Sequence, residues 1–461
     1  MIVALALTLT LFVAPDPVPE DAVFAPAEPC DHTKLGVPMP IENPPGEEAL
    51  AAFYQVLRRV ARRDDDPATP RREDQARVVV WGASHVAGDM FTGWFRNELK
   101  SRYGDAGIGL IVPSKPWRDY YNRDANIAYS ETGWDAYWVS KRQRRDDGRY
   151  GLGGISFTSD RPSAWAKVST SKENPFGRDI SHVEVWYWRD ARGGDFTVDI
   201  DHKKKIRVRT KTNPKKRELD GLGYWSIDLP LARHEVEIRP AGNGAVTLFA
   251  VALDSSAAGI RMDTLGINGA RATDQLDWDP GIFNEQLIRR DPDLVVLAYG
   301  TNDVGDDEPL AEYERKLDLV VNRVHSAVPR ASCLLIGPSD RPVKIDAVDE
   351  EGDEVEVFQH RPRQAPFIDV QRKVAHRYGC GYWNWAGAMG GDLSMLRWVH
   401  ADIPYAAPDY VHLTKLGYER MAQLFLDALI GPFEGSLPGS MLNPGGPTIG
   451  PAPLPLPRPR R

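Results

Sequence analysis

"VVVWGASHVAGDMF" (Val78–Phe91) holds a β-branched apolar run that stops at Gly82 and gives way to Ser84 and His85 in a turn of small residues. A strand with no polar face, here "RVVVWG" (77–82), is what a parallel sheet covered on both sides requires. Small residues let the chain turn sharply and let another molecule approach the backbone. Ser84 therefore reads either as a nucleophile presented at a strand end or as the cap of the next helix, and the rest of the chain has to separate the two.

Working outward, "GEEALAAFYQVLRRVARR" (46–63) puts Leu50, Phe53, Leu57 and Val60 on one face of a helix. Residues 89–103 read as a second helix and "GIGLIV" (107–112) as a second strand. From about 119 to 258 the texture changes to short runs alternating with period two, among them "FTVDID" (196–201), "KIRVR" (205–209) and "HEVEIRPAGNGAVTLFAVAL" (234–253). This reads as an all-β sandwich. The alternation of strand and helix then returns: strands at 262–267, 293–300, 331–338 and 381–385, helices at 280–290, 309–328, 364–379 and 413–430. Strands alternating with helices imply a parallel sheet covered on both faces. The expected organisation is a signal segment and Pro-rich linker (1–45), an α/β domain in two parts (46–118 and 259–432), an inserted β sandwich (119–258), and a disordered Pro/Gly-rich tail (433–461).

The chain has 461 residues, 42% hydrophobic and 26% charged, with a formal net charge of −8. That charge argues against a general nucleic-acid binder. Three cysteines (Cys30, Cys333, Cys380) have no metal-ligand spacing and form no disulfide framework; Cys333 and Cys380 each begin a predicted strand, which leaves one bridge open. The opening "MIVALALTLTLFVA" is too short to span a membrane and has the length of a signal-peptide core, without the basic residues that usually precede one. The expected location is periplasmic or secreted, with no integral membrane segment.

Ligands of open parallel sheets bind beyond the carboxyl ends of the strands, and polar groups fall there in three places. Ser84 follows the first strand, Asn302 in "YGTND" (299–303) another, and Asp409 and His412 in "PDYVHLTKLGY" (408–418) lie just before the last helix. Acyl transfer needs a hydroxyl to attack, an imidazole to take its proton and a carboxylate to orient the imidazole. It also needs donors aimed at the developing oxyanion. The Asn302 amide and the backbone N–H groups of Ser84 and of Gly269 in "GINGA" (266–270) can supply them, with Gly266 a competing choice.

These blocks resemble the SGNH (GDSL-type) hydrolases: "GASH" as the Ser block, Gly269 as the Gly block, "GTND" as the Asn block and "DYVHLT" as the Asp-x-x-His block, in the family's order. The resemblance covers roughly 77–118 and 260–430. It implies a flavodoxin-like three-layer α/β/α sandwich with catalysis by Ser84, His412 and Asp409 and no metal or cofactor. "GASHVAGDMFTGWFRNELKSRYGDAGIGLIVP" (82–113) and "YWNWAGAMGG" (382–391) are similar to the peptidoglycan O-acetylesterases, as is a β-rich insertion between the Ser and Gly blocks. In those enzymes the insertion resembles a carbohydrate-binding module, and the reaction removes 6-O-acetyl groups from N-acetylmuramic acid. Ala83 departs from the family's usual Asp before the serine, a residue outside the triad. The expected partner is an O-acetylated glycan; a carbohydrate O-acetyltransferase using the same triad and a non-catalytic glycan-binding protein are the alternatives.

The remaining features have plainer readings. His85 is expected to be structural, and Trp165, Trp186, Trp188 and Trp225 to be core residues of the sandwich rather than sugar platforms. "KKKIRVRTKTNPKKR" (203–217), with nine basic residues, reads as a solvated hairpin, or else as a patch that steers an anionic wall polymer. "DAVDEEGDEVEV" (346–357) reads as a surface hairpin. Residues 386–411 show no clear element, and Met395, Leu396 and Trp398 in that stretch are expected to line the substrate cleft.

Overall fold

The computed structural model describes residues 22–26, 28–61, 74–140, 144–172, 174–348 and 353–436. The apolar N-terminal run and the tail beyond 436 lie outside the described residues.

Five parallel strands form the central sheet: β1 (Gln75–Gly82), β2 (Gly259–Gly266), β3 (Leu294–Ala298), β4 (Ser332–Ile336) and β5 (Gly381–Trp383), in the spatial order β2-β1-β3-β4-β5. The period of two along β1 sends its side chains to two separate cores. Val78 and Val80 pack with helices α1 (Ala51–Ala61) and α3 (Phe91–Tyr103), while Val79 and Trp81 face the opposite side. A short helix, α2 (Ser84–Ala87), lies between α1 and α3 in sequence. That opposite face is covered by α4 (Pro280–Arg290), α5 (Leu310–Ala327) and α6 (Gln364–Arg377). Two short helices, α7 (Trp385–Met389) and α8 (Ser394–Val399), precede α9 (Lys415–Gly435), which returns to the α1/α3 side. The strand order reverses at β1 and β3, which makes their carboxyl ends the place where a crevice opens.

Between β1 and β2 the chain builds two antiparallel sheets, one of five strands and one of six. Their facing sides share a core of Val183, Val185, Phe196, Val198, Val236 and Leu253 among others. The other side of the six-stranded sheet, including Trp186 and Phe249, joins the core over α4 and α5. A buried ionic bolt ties the two parts. Arg290 on α4 donates to Asp263 on β2 (2.7 and 2.8 Å) and to Asp254 at the end of an antiparallel strand (2.8 Å). Burial alone would raise the Asp254 pKa, but Arg290 and Arg261 outweigh it and hold the carboxyl far below the usual range. Removing one partner of such a pair typically costs about 3–5 kcal/mol.

Several expectations need correction. The strand at Gly107–Ile111 forms, but it pairs antiparallel with Val246–Asp254 and not within the parallel sheet; its apolar residues suit either setting, so the run itself does not reveal its partner. The second half of the predicted linker is docked. Glu42 exchanges backbone hydrogen bonds with Tyr382 on β5, and Leu35 is buried. A Pro-rich segment has few donors of its own, so it borrows partners from a sheet edge. At the other end α9 runs through Pro432 to Gly435, because Phe433 is buried against Tyr54 and Tyr103. Residues 386–411 contain α7 and α8. Met395, Leu396 and Trp398 on α8 are all buried, Met395 and Trp398 in the core on the α1/α3 side.

Other readings hold. Val343–Val348 and Glu354–Gln359 form the acidic hairpin. Lys204–Arg209 is the edge strand of the five-stranded sheet, with Lys204, Lys205, Arg207 and Arg209 exposed, a common way to keep an edge from pairing with another chain. Trp186 is fully buried. Cys333 on β4 and Cys380, just before the neighbouring β5, form a disulfide.

Candidate active site

β1 ends at Gly82 because nothing larger fits: a Cβ there would lie 2.3 Å from the Val86 side chain and 2.7 Å from the Ala298 carbonyl. The chain turns through Ala83, whose carbonyl accepts from the N–H groups of Val86 and Ala87 (3.0 and 2.9 Å). Ala83 is buried and makes no side-chain cap. Ser84 is the first residue of α2, where an N–H has no partner inside the helix.

The Asp409–His412 loop reaches Ser84 from 328 residues away in sequence. His412 Nε2 lies 2.9 Å from Ser84 Oγ, and His412 Nδ1 lies 2.7 Å from Asp409 Oδ2. The other carboxylate oxygen, Oδ1, accepts from the backbone N–H groups of Val411 (3.0 Å) and His412 (2.9 Å). The spacing of three thus folds into a self-bonded Asx turn that aims the imidazole. Burial raises the Asp409 pKa, but the hydrogen bonds from His412 and from the two N–H groups outweigh it and leave the carboxyl below its ordinary value. An ionised Asp409 can only accept, so Nδ1 carries the proton and Nε2 is left to accept from the Ser84 hydroxyl. The side chains of His412 and Asp409 are 45% and 50% exposed, so solvent reaches the relay.

Asn302 and Gly269 stand next to each other at the ends of β3 and β2. Gly82 pairs with both Gly266 and Ala298, which brings the two following loops to the same edge. Asn302 Nδ2 donates to the Ala270 carbonyl (3.0 Å), and the second hydrogen of that amide is left for another acceptor. Gly269 has φ +73°, and a Cβ there would meet open space. Gly266, by contrast, is pressed against α2, with Ala87 N 2.2 Å from its would-be Cβ; its smallness serves packing.

Asp303 braces this loop: its Oδ1 accepts from Ala272 N–H (3.2 Å), while its Oδ2 has no hydrogen-bond partner among the described residues. Burial pushes its pKa up to about 7, against the weaker pull of nearby donors and Arg271. An acid whose pKa rises on folding loses stability as pH climbs from its unfolded value, near 3.9, to its folded one, and carries a constant penalty above that. Asp303→Asn keeps the Oδ1 acceptor and removes the charge. The stability of this variant relative to wild type should therefore grow between pH 4 and pH 8, by at most about 4 kcal/mol. Denaturant titrations at both values check it; a difference that does not change with pH would contradict it.

His85 is part of a network that the sequence does not reveal. Its ring is buried, stacked on Trp385 (5.1 Å between centroids) and edge-on to His412 (6.0 Å). Nδ1 meets Tyr418 Oη on α9 (2.9 Å) and Nε2 meets Ser339 Oγ (3.3 Å), which in turn lies 3.2 Å from Thr301 Oγ1. A hydrogen-bonded chain therefore runs behind Ser84 from the helix that follows His412 to the residue before Asn302. Burial and the neighbouring His412 lower the His85 pKa to about 3, so this imidazole is neutral and acts as a brace. No sequence pattern points to Tyr418, Ser339 or Thr301, which come from three separate elements. Elsewhere, Asp31, His32 and Asp402 place potential metal-ligand atoms within 4.8 Å of one another. They are already engaged: His32 Nδ1 with Asp402 (2.8 Å) and Asp31 with Thr33 N–H (2.9 Å).

Residues 237–420 match the GDSL-like Lipase/Acylhydrolase family. The matched segment contains Gly269, Asn302, Asp409 and His412 but not Ser84, which lies beyond the intervening antiparallel sheets. A search of the curated proteins returns no significant match. Among solved structures, a peptidoglycan O-acetylesterase aligns with a TM-score of 0.66 and 23% identity, over 85% of this chain and 98% of that one. A family two carbohydrate esterase from Cellvibrio japonicus aligns over 67% of this chain and 98% of that one at 11% identity, with a TM-score of 0.27 that carries no weight. Residues 237–420 are thus similar to the GDSL-like Lipase/Acylhydrolase family, and the chain shares the fold of the first of these structures.

Proposed function

We propose that the protein removes O-acetyl groups from a carbohydrate, peptidoglycan above all (the 6-O-acetyl group of N-acetylmuramic acid), through an acetyl-Ser84 intermediate. The observation that supports this best is the unbroken relay from Ser84 Oγ through His412 to Asp409, at 2.9 and 2.7 Å. The order of the parallel strands agrees with a flavodoxin-like three-layer sandwich, and the antiparallel sheets between β1 and β2 are read as a glycan-binding insert. The likeness in fold to a peptidoglycan O-acetylesterase favours the same substrate class.

In the first step Ser84 Oγ attacks the acetyl carbonyl carbon while its proton passes to His412 Nε2. Asp409 stabilises the imidazolium and keeps its orientation. The oxyanion is held by the N–H groups of Ser84 and Gly269 and by the remaining Asn302 amide hydrogen; one such donor is typically worth about 3 kcal/mol. The bond from the acetyl carbon to the sugar oxygen breaks, and His412 returns its proton to that oxygen. A water molecule, deprotonated by His412, then attacks acetyl-Ser84, releasing acetate and restoring the hydroxyl. Solvent access to His412 supports water as the acceptor over a second sugar, which a transferase would require. The Cys333–Cys380 disulfide favours an oxidising, extracytoplasmic location. Among the described residues no helix is long and apolar enough to cross a membrane.

Incubation with O-acetylated peptidoglycan should release free acetate and leave de-acetylated muramic acid, measured by mass spectrometry. Intact ester under conditions where p-nitrophenyl acetate is consumed would remove peptidoglycan as the substrate. Acetate moved onto an added acceptor oligosaccharide would favour the transferase.

A further inference from the structure

An open groove with a volume of about 720 Å³ is lined in part by residues that closely follow the triad segments in sequence, Asp89 and Met90 after Ser84, and Lys415 and Glu419 after His412. Its catalytic side is formed by the turn after α2 and by the first turns of α9, the helix that begins just after His412. Its other side is formed by residues of the 115–127 segment and by Ser171, Lys172, Asn174 and Pro175, which belong to the antiparallel part of the chain. We propose that this groove binds the carboxylate-bearing part of the substrate, so that the enzyme selects an anionic acetylated glycan over a neutral one; the proposal rests on the esterase reading of Ser84.

Charge carries the argument. The whole chain is acidic, at −8, yet Lys115, Arg123, Lys172 and Lys415 all line this groove. Among the described residues the first three take part in no ion pair, and Lys415 has only Glu419 at 3.9 Å. The other acid in the lining, Asp89, is neutralised from within: it and Arg96 are both buried, 2.8 Å apart. A patch of cations in a cleft of an acidic protein focuses a positive field on whatever enters.

The backbone beneath part of the groove is also fastened. Arg96 donates to Asp124 (2.7 Å) as well as to Asp89, the Arg123 N–H donates to Asp89 Oδ2 (2.8 Å), and Asn174 donates to Asp124 Oδ1 (2.5 Å). This buried network ties Arg123, Asp124 and Asn174 to Asp89, in the turn after α2. Between the cations, Met90 and Tyr121 are 40% and 52% exposed and offer apolar surface of the kind a sugar ring covers. On this proposal a glycan whose acetyl ester sits at Ser84 extends into the groove, among its cations and two apolar side chains.

The test compares two forms of one O-acetylated peptidoglycan fragment: one with its peptide carboxylates free, one with them converted to amides. For the wild-type protein at low salt, kcat/KM should favour the free carboxylates about tenfold through KM, and 0.3 M NaCl should erase most of that preference. In Arg123→Gln/Lys172→Gln the preference should fall to near one. A wild-type ratio near one, or a ratio the double variant leaves unchanged, overturns the proposal. Calorimetry with Ser84→Ala protein reads the groove without chemistry. Tighter, salt-sensitive binding of the free-carboxylate fragment supports the groove even if the esterase reading fails, and equal binding of the two fragments overturns it.

Discussion

Ser84→Ala is expected to lower acetate release from p-nitrophenyl acetate by about four orders of magnitude or more, with the fold intact. In enzymes of this chemistry, loss of the nucleophile removes nearly the whole contribution of the triad and leaves a residue of catalysis from binding and oxyanion donors. The substitution deletes only the hydroxyl. Ser84 begins α2 and its side chain points to His412 Nε2, so alanine disturbs neither the helix nor the core beneath it. Steady-state rates with unchanged thermal unfolding are the measurement. Turnover within tenfold of wild type would mean that another group attacks the ester.

Asp409→Asn should reduce kcat by about 10³- to 10⁴-fold with little change in KM. What matters is which nitrogen of His412 holds the proton. The carboxylate takes the Nδ1 hydrogen and leaves Nε2 as a base toward Ser84. An amide in its place can donate to Nδ1 instead, which puts the proton on Nε2 and leaves no acceptor for the serine hydroxyl. Asparagine can still accept from the N–H groups of Val411 and His412, which hold the loop in shape. The effect is therefore on the tautomer and on the charge beside the imidazolium, and exposure of the pair argues for the lower end of the range. Rates measured on p-nitrophenyl acetate decide it; a loss below tenfold would mean that Asp409 does not orient the base.

The candidate site is legible in the sequence because each of its parts sits in a turn with its own signature. Gly82 and Ala83 announce a tight bend after an apolar strand, and Asp409 and His412 sit three apart before a helix. Pairing was less legible. The run at Gly107–Ile111 reads as a strand in any sheet, and only its antiparallel contact with Val246–Asp254 says which. Met395, Leu396 and Trp398 looked like cleft residues because no periodicity marks two helices as short as α7 and α8, yet these helices are what bury them. The Pro-rich stretch before Leu50 carries the composition of a linker, while its docking depends on edge groups of β5 far away in sequence. The brace of His85, Tyr418, Ser339 and Thr301 and the cationic groove share this property: each is assembled from segments whose local patterns are ordinary.

In the proposed mechanism Ser84 is the residue that becomes acetylated. The most direct measurement is peptide mapping by mass spectrometry after reaction with a fluorophosphonate, which traps a serine activated by a neighbouring imidazole. A single adduct on Ser84, with parallel loss of esterase activity, is the expected result. An active protein that takes no adduct, or one whose adduct maps to another residue, would contradict it.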